Sequence, residues 1–252
     1  MIAALLLGRE GSTAFPGKNT SLVLNRPMMV YPLLAAKHSK YVDDVFVSTD
    51  SARIKKIAVD LGASIIDRPP HLATKEALGE DAFAHGYQHI RDIANRDIEL
   101  MVLLFCNAPT ILPSVIDAGI EALRADPSLD SAVTVSVYNM WSPLRARKLD
   151  TEGLVVPFAP FETFGDPATL NCDRDSQGDV YFADMSLSIV RPHCLEDLRA
   201  GMLPQRWMGN RIFPLKQWGG CDVDYEWQVP QVEFWLRKHG FTERVIPYSQ
   251  RD

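Results

Sequence analysis

The chain opens on an unbroken apolar run, Ile2 to Leu7, as expected of a strand covered on both faces. Shorter strand-like runs follow at residues 45–48, 63–66 and 101–105; residues 131–137 alternate like a strand, and 185–190 closes the series. Between them the apolar spacing changes from two to about 3.6 residues, the period of a helix with one buried face. Ile54, Ile57, Ala58 and Leu61 share such a face, as do Leu112, Ile116, Ile120 and Leu123. Helices are also expected over 27–38, with Pro27 in the first turn, and over 82–93. A last helix is expected over 225–239, with Val229, Val232 and Leu236 on one face and Gly240 as its stop. Strands alternating with helices predict an α/β fold: a mostly parallel mixed sheet with helices on both faces. In such sheets ligands bind beyond the carboxyl ends of the strands. Chemistry is therefore expected in the loops after Leu7, Ser48 and Phe105.

The pattern breaks after about residue 138. Residues 141–178 are rich in Pro, Asp and aromatic side chains and show no clear period. An irregular stretch of that length is expected to be a lid or an oligomerisation arm, not a simple loop. We therefore read residues 1–252 as a single domain with an insertion over about 139–180. The N-terminal apolar run is too short, and lacks the basic flank, for a signal peptide. No run approaches the roughly 20 apolar residues of a membrane span. The cysteines, Cys106, Cys172, Cys194 and Cys221, have no metal or redox spacing. A cytoplasmic protein with reduced packing cysteines is expected. Its composition, 46% apolar and 23% charged, is that of a globular protein. The net charge of −6 argues against a nucleic-acid partner, although local basic loops can still hold phosphates.

The loop after the first strand runs Gly8-Arg9-Glu10-Gly11-Ser12-Thr13-Ala14-Phe15-Pro16-Gly17-Lys18-Asn19. Its glycines allow close backbone approach to a ligand, Arg9 and Lys18 bring two cations, and Ser12 and Asn19 bring hydrogen-bonding groups. Such a loop can cradle phosphates, or it can be a solvated Gly/Pro turn. It matches neither a Walker A loop nor G-x-G-x-x-G. Near the other end, Asp222-Val223-Asp224 sets two carboxylates on one side of an extended segment. Close carboxylates are costly unless a cation joins them, and Mg²⁺ prefers such oxygen ligands. The alternative is that Asp224 caps the last helix. His71 and His85 have no metal-ligand partners in spacing, and Trp207, Trp218, Trp227 and Trp235 suit a core or interface better than a row of base-stacking rings.

The segment from Leu7 to Asn19 resembles the signature loop of the acylneuraminate cytidylyltransferases, which make CMP-sialic acid and related CMP-nonulosonic acids. The resemblance continues through Val47-Ser48-Thr49-Asp50, Gly62-Ala63, Arg68-Pro69, Leu72-Ala73, Lys148-Leu149-Asp150 and Asp222-Val223-Asp224. It implies a Rossmann-like nucleotidyltransferase fold, a dimer-forming insertion and a homodimer. It also implies transfer of CMP from CTP to a hydroxyl of an α-keto sugar acid, with release of pyrophosphate. Arg9, Lys18, Asp222 and Asp224 would be the catalytic set, with Mg²⁺ on Asp222 and Asp224. The nucleotide would meet Gly8, Arg9, Gly11, Ser12, Thr13, Lys18, Asn19 and Arg68. Lys148 and Arg174 would meet the sugar acid.

Several positions depart from the family pattern. Thr13 stands where a Lys is usual, and Lys75 where an acidic residue is expected. Phe105-Cys106-Asn107-Ala108-Pro109 replaces Q-P-T-S-P, and Asp184-Met185-Ser186-Leu187-Ser188 replaces N-G-A-x-Y. The changes fall on the sugar-facing side, which points to a different keto sugar acid or to lost activity. The same residues would also serve a sugar-1-phosphate nucleotidyltransferase using another nucleotide, or a silent nucleotide-binding paralogue. A glycosyltransferase is disfavoured, because its metal motif would follow a central strand.

Overall fold

The opening apolar run is buried at every position because it forms the middle of a sheet. The computed structural model describes residues 1–248. Its strands are β1 (Ile2–Leu7), β2 (Leu22–Val23), β3 (Arg26–Pro27), β4 (Asp44–Thr49), β5 (Ser64–Asp67), β6 (Leu100–Phe105), β7 (Ser131–Val137), β8 (Arg147–Leu149), β9 (Val155–Pro157), β10 (Tyr181–Val190) and β11 (Ile212–Gln217). Its helices are α1 (Val30–Lys37), α2 (Ala52–Asp60), α3 (Gly79–Ile93), α4 (Pro113–Ala125), α5 (His193–Glu196) and α6 (Val229–Lys238). The main sheet has seven strands in the order β11-β7-β10-β6-β1-β4-β5. Neighbours pair in parallel except at β10, which runs antiparallel between β6 and β7. The mostly parallel mixed sheet expected from the alternation is thus observed.

Alternate side chains of β1 leave on opposite faces. Ile2, Ala4 and Leu6 join Leu33, Ile54, Ile116 and Ile120, which belong to α1, α2 and α4. Ala3, Leu5 and Leu7 join Phe83, Tyr87 and Ile90 of α3, together with Trp207. Each fully buried Leu, Ile or Phe among them contributes roughly 1.5–3 kcal/mol. A third cluster lies at the edge of these layers. In it Val232, Trp235 and Leu236 of α6, with Phe241, pack on Val23, Leu24, Met28 and Tyr31. Val223 belongs to the same cluster, so the C-terminal segment folds back beside the first loop.

Three helix starts differ from the sequence expectation, and the strand placed at 185–190 already begins at Tyr181. The helix placed at 27–38 begins at Val30, because Arg26–Pro27 pairs with Leu22–Val23. Leu24 and Asn25 turn that small hairpin with φ of 46° and 61°. The helix placed at 82–93 begins at Gly79. The last helix starts as a 3-10 turn, Glu226–Gln228, and becomes α6 only at Val229. Within 139–180 there is one small antiparallel hairpin, β8 with β9, among short 3-10 turns. Among the described residues no helix is long and apolar enough to cross a membrane. All four cysteines are free; Cys106 and Cys194 are buried, whereas Cys172 is exposed.

Helix α3 sits so close to β1 that a Cβ on Gly86 would lie 2.5 Å from Leu5 Cδ2. Overpacking of this kind costs about 1–3 kcal/mol, more than the helix-propensity gain of about 1 kcal/mol from alanine. Gly86→Ala is therefore expected to lower the urea midpoint without changing the m-value, and a raised midpoint would contradict this packing.

Candidate active site

The strand order reverses at β1. β4 and β5 lie to one side of it and β6 to the other, so a crevice opens where the chain ends of β1 and β6 diverge. A cleft of about 200 Å³ lies there, lined by Gly8, Arg9, Lys18, Asn19, Arg68, Phe105, Asn107, Asp222 and Asp224, among others. The floor is tight: a Cβ on Gly8 would lie 2.8 Å from Cys106 Sγ.

The first loop is held from several directions. Gly17 has φ of 72° and lets the chain enter the short turn Lys18–Thr20. Asn19 is buried, and its Nδ2 donates to the Arg9 carbonyl at 3.0 Å. Asp50 accepts from the Glu10 N–H at 3.0 Å, so the acidic end of Val-Ser-Thr-Asp pins this loop. Ser48 of the same motif holds Arg68. The guanidinium donates to the Ser48 carbonyl at 2.5 Å and to Ser48 Oγ at 3.2 Å. Arg68 is 8% exposed, hence not the surface charge typical of an Arg after a strand. Burial draws its pKa below the ordinary value, and the Arg9 cation adds to this.

Asp222 and Asp224 arrive from the other end of the chain. Lys18 Nζ meets Asp224 Oδ1 at 2.5 Å. The Val223 N–H donates to the Asn107 carbonyl at 2.8 Å, and Asn107 Nδ2 donates back to the Val223 carbonyl at 2.9 Å. With the Val223 side chain buried in the third cluster, both flanking aspartates line the cleft. The helix-cap role considered for Asp224 falls elsewhere: Gln228 Oε1 accepts from the N–H groups of Asp224 and Tyr225 at 2.7 and 2.8 Å. Asp222 is pushed up from 3.8 to about 6, first by burial and then by the Asp224 charge, with Lys18 opposing. Oxygen-only donors that repel one another suit a small hard cation.

The remaining sequence candidates lie apart. Gly11, Ser12 and Thr13 do not line the cleft; Ser12 Oγ instead accepts from the Phe15 N–H at 3.4 Å. Lys148 is exposed on β8, and Arg174 pairs with its neighbour Asp175 at 3.1 Å. Neither is among the residues lining the cleft. His85 Nδ1 is buried without a hydrogen-bond partner, and burial lowers the pKa of its ring. Trp207 and Trp235 are buried, whereas Trp218 and Trp227 are exposed. Sequence reasoning passed over Asn107 as a functional position because it registered only as a departure from a family pattern. Its signal is a polar side chain two residues after a buried strand.

A family model described as Cytidylyltransferase matches residues 3–186. The chain belongs to the cytidylyltransferase family. It is 27% identical over 186 residues to the CMP-N,N'-diacetyllegionaminic acid synthase of Legionella pneumophila, covering 72% of this chain and 77% of that protein. It is 28% identical over 148 residues to a Helicobacter pylori protein named pseudaminic acid cytidylyltransferase and UDP-2,4-diacetamido-2,4,6-trideoxy-beta-L-altropyranose hydrolase. That match covers 58% of this chain and 28% of the relative's length. A CMP:2-keto-3-deoxy-manno-octonic acid synthetase, solved in complex with CTP, superposes with a TM-score of 0.65 at 16% identity. The superposition covers 94% of this chain and 99% of that one, and shows the shared fold. Relatives named N-acylneuraminate cytidylyltransferase also match, one from Oncorhynchus mykiss at 30% identity over 124 residues, covering 48% of this chain and 27% of the relative. The resemblance read from the first loop is therefore borne out, and with it the nucleotidyltransferase class of the family.

Because its folded pKa lies above 3.8, ionisation of Asp222 opposes folding; the cost is absent at low pH and fully present above about 6. Asp222→Asn should raise the Tm of the ligand-free protein at pH 7.5 by about 2–4 °C, the response of a domain this size to roughly 1 kcal/mol. The gain should shrink as pH falls toward 5. A Tm that drops at pH 7.5 would contradict the repulsive pair.

Proposed function

We propose that the chain transfers CMP from CTP to a hydroxyl of an α-keto sugar acid of the nonulosonate type, with Mg²⁺ as cofactor. The observation that carries this reading is the meeting of Lys18, Asp222 and Asp224 with Arg9 and Arg68 in one cleft at the sheet's switch point. The names of the relatives support the sugar-acid class.

In this reaction the sugar oxygen forms a bond to the α-phosphorus while the bond from that phosphorus to the β-phosphate oxygen breaks. The sugar hydroxyl loses its proton and pyrophosphate leaves. Such transfer is governed by positioning and electrostatics. Arg9 and Lys18 hold the triphosphate and the leaving pyrophosphate, and Asn19 and Arg68 seat the nucleoside. Asp222 and Asp224 would hold Mg²⁺, which supplies positive charge against the phosphates when bound. Lys18, now on Asp224, would turn toward the triphosphate. The arm at 139–180 carries exposed apolar side chains, including Trp141, Leu149, Val155 and Phe158 at 60–69% exposure. These suit a homodimer contact; Lys148 and Arg174, which lie apart from this chain's own cleft, would meet the sugar carboxylate only if that contact brings the arm over a cleft.

Pyrophosphate release should require CTP, Mg²⁺ and a nine-carbon α-keto sugar acid together. Release with eight-carbon acids alone would move the substrate to the Kdo type, and CTP binding without release from any acid would indicate a silent paralogue. Asp222→Asn should lower kcat by at least about 100-fold, the scale of losing a main electrostatic stabiliser. Near-normal turnover would remove Asp222 from the reaction.

A further inference from the structure

Asp184 is a carboxylate inside a strand, 4% exposed, and it is not among the residues lining the cleft. Four donors converge on it. Thr134 Oγ1 and the Ser186 N–H donate to Oδ1 at 2.6 and 3.1 Å. Ser136 Oγ and Gln217 Nε2 donate to Oδ2 at 2.7 and 2.9 Å. The backbone is bent to permit this. The register of β10 against β7 shifts between Ala183 and Ser188, and Met185 within that bulge has φ of 61°. Bulges re-aim side chains, and this one directs Asp184 into the sheet's interior edge.

The hydroxyls around Asp184 act as relays. A hydroxyl has one hydrogen, so Ser136, having spent its own on Asp184, meets its next neighbour through a lone pair. That neighbour is the Gly220 N–H at 3.1 Å. Gly220 is matched to the carboxylate in shape as well, since a Cβ there would lie 2.2 Å from Asp184 Oδ2. The next residue is held by the same cluster: Thr110 Oγ1 accepts from the Cys221 N–H at 3.0 Å and contacts Ser186 Oγ at 2.9 Å. Tyr138 donates to the Gly220 carbonyl at 2.8 Å. Gly220 and Cys221 are therefore fixed on one side of Asp222, and Val223 is fixed on the other by Asn107.

We propose that Asp184 is a positioning residue for the cleft, setting the backbone of residues 220–222 through Ser136 and so the place of Asp222. This rests on the cytidylyltransferase reading above for its kinetic consequence, though not for its structural one. The departure from the family pattern at this position thus acquires a role within the chain, and not against the sugar.

The test uses the full chain with Asp184→Asn and Ser136→Ala. An amide at 184 sets its NH2 against either the Gln217 Nε2 donor or the Ser186 N–H, whichever way it turns, and alanine at 136 removes the relay atom while leaving three donors on Asp184. Amide hydrogen exchange of the metal-free protein should speed up about tenfold or more at Gly220 and Cys221 in both variants, with β1 and β4 unchanged. In turnover assays the half-saturating Mg²⁺ should rise several-fold, up to about the tenfold seen on losing a direct partner of a metal ligand, with KM for CTP nearly constant. If Asp184→Asn does not fold, Ser136→Ala carries both measurements. Unchanged exchange at Gly220 and Cys221 overturns the proposal, as does a lowered Tm with an unchanged Mg²⁺ requirement. A wild-type protein that never turns over refutes the functional reading instead, and the exchange data still decide the positioning role.

Discussion

The cleft depends on two distant parts of the chain being packed together, so that Lys18 meets Asp224 across 206 positions of sequence. Neither side chain could hold that meeting alone, because an exposed ion pair contributes little. The holding force lies beneath it. The third hydrophobic cluster lays α6 and Val223 against Met28 and Tyr31, just downstream of the first loop. The paired hydrogen bonds between Asn107 and Val223 then tie the same segment to the end of β6. Hydrophobic burial brings the two chain ends together, and backbone hydrogen bonding sets their register. The charges meet as a consequence.

That arrangement changes what the net charge of −6 means. Locally the cleft carries Arg9, Lys18 and Arg68 opposite Asp222 and Asp224. Two of these groups are under electrostatic tension: burial weakens the hold of Arg68 on its proton, and burial with a like charge strengthens the hold of Asp222 on its own. A site that keeps charges in unfavourable surroundings is arranged for a partner that relieves them. On the proposed function, a nucleoside triphosphate with a divalent cation would bring both signs at once.

Much of this was legible in the residues. The strand-helix alternation carried the sheet, because β1 and β6 are buried on both faces and show as continuous apolar runs. The first loop and the paired aspartates stood out because their residue types have few structural uses together. Tertiary effects were less visible. The start of α1 moved because Arg26–Pro27 found a partner in Leu22–Val23, which no periodicity announces. Asn107 and Asp184 were seen only as departures from a pattern, since their side-chain partners lie 116 and 33–50 positions away. The burial of Arg68 likewise depends on Ser48, which lies on the neighbouring strand.

The most direct test of a CTP-using cleft at this switch point is the Tm shift on adding CTP with Mg²⁺. Ligand at 100 times its Kd stabilises the native state by about 2.7 kcal/mol, about 5–10 °C for a domain of this size. CTP should give a shift of that order, UTP and GTP much less, and Lys18→Ala should abolish it. Equal shifts from all three nucleotides, or a CTP shift that survives Lys18→Ala intact, would contradict the assignment.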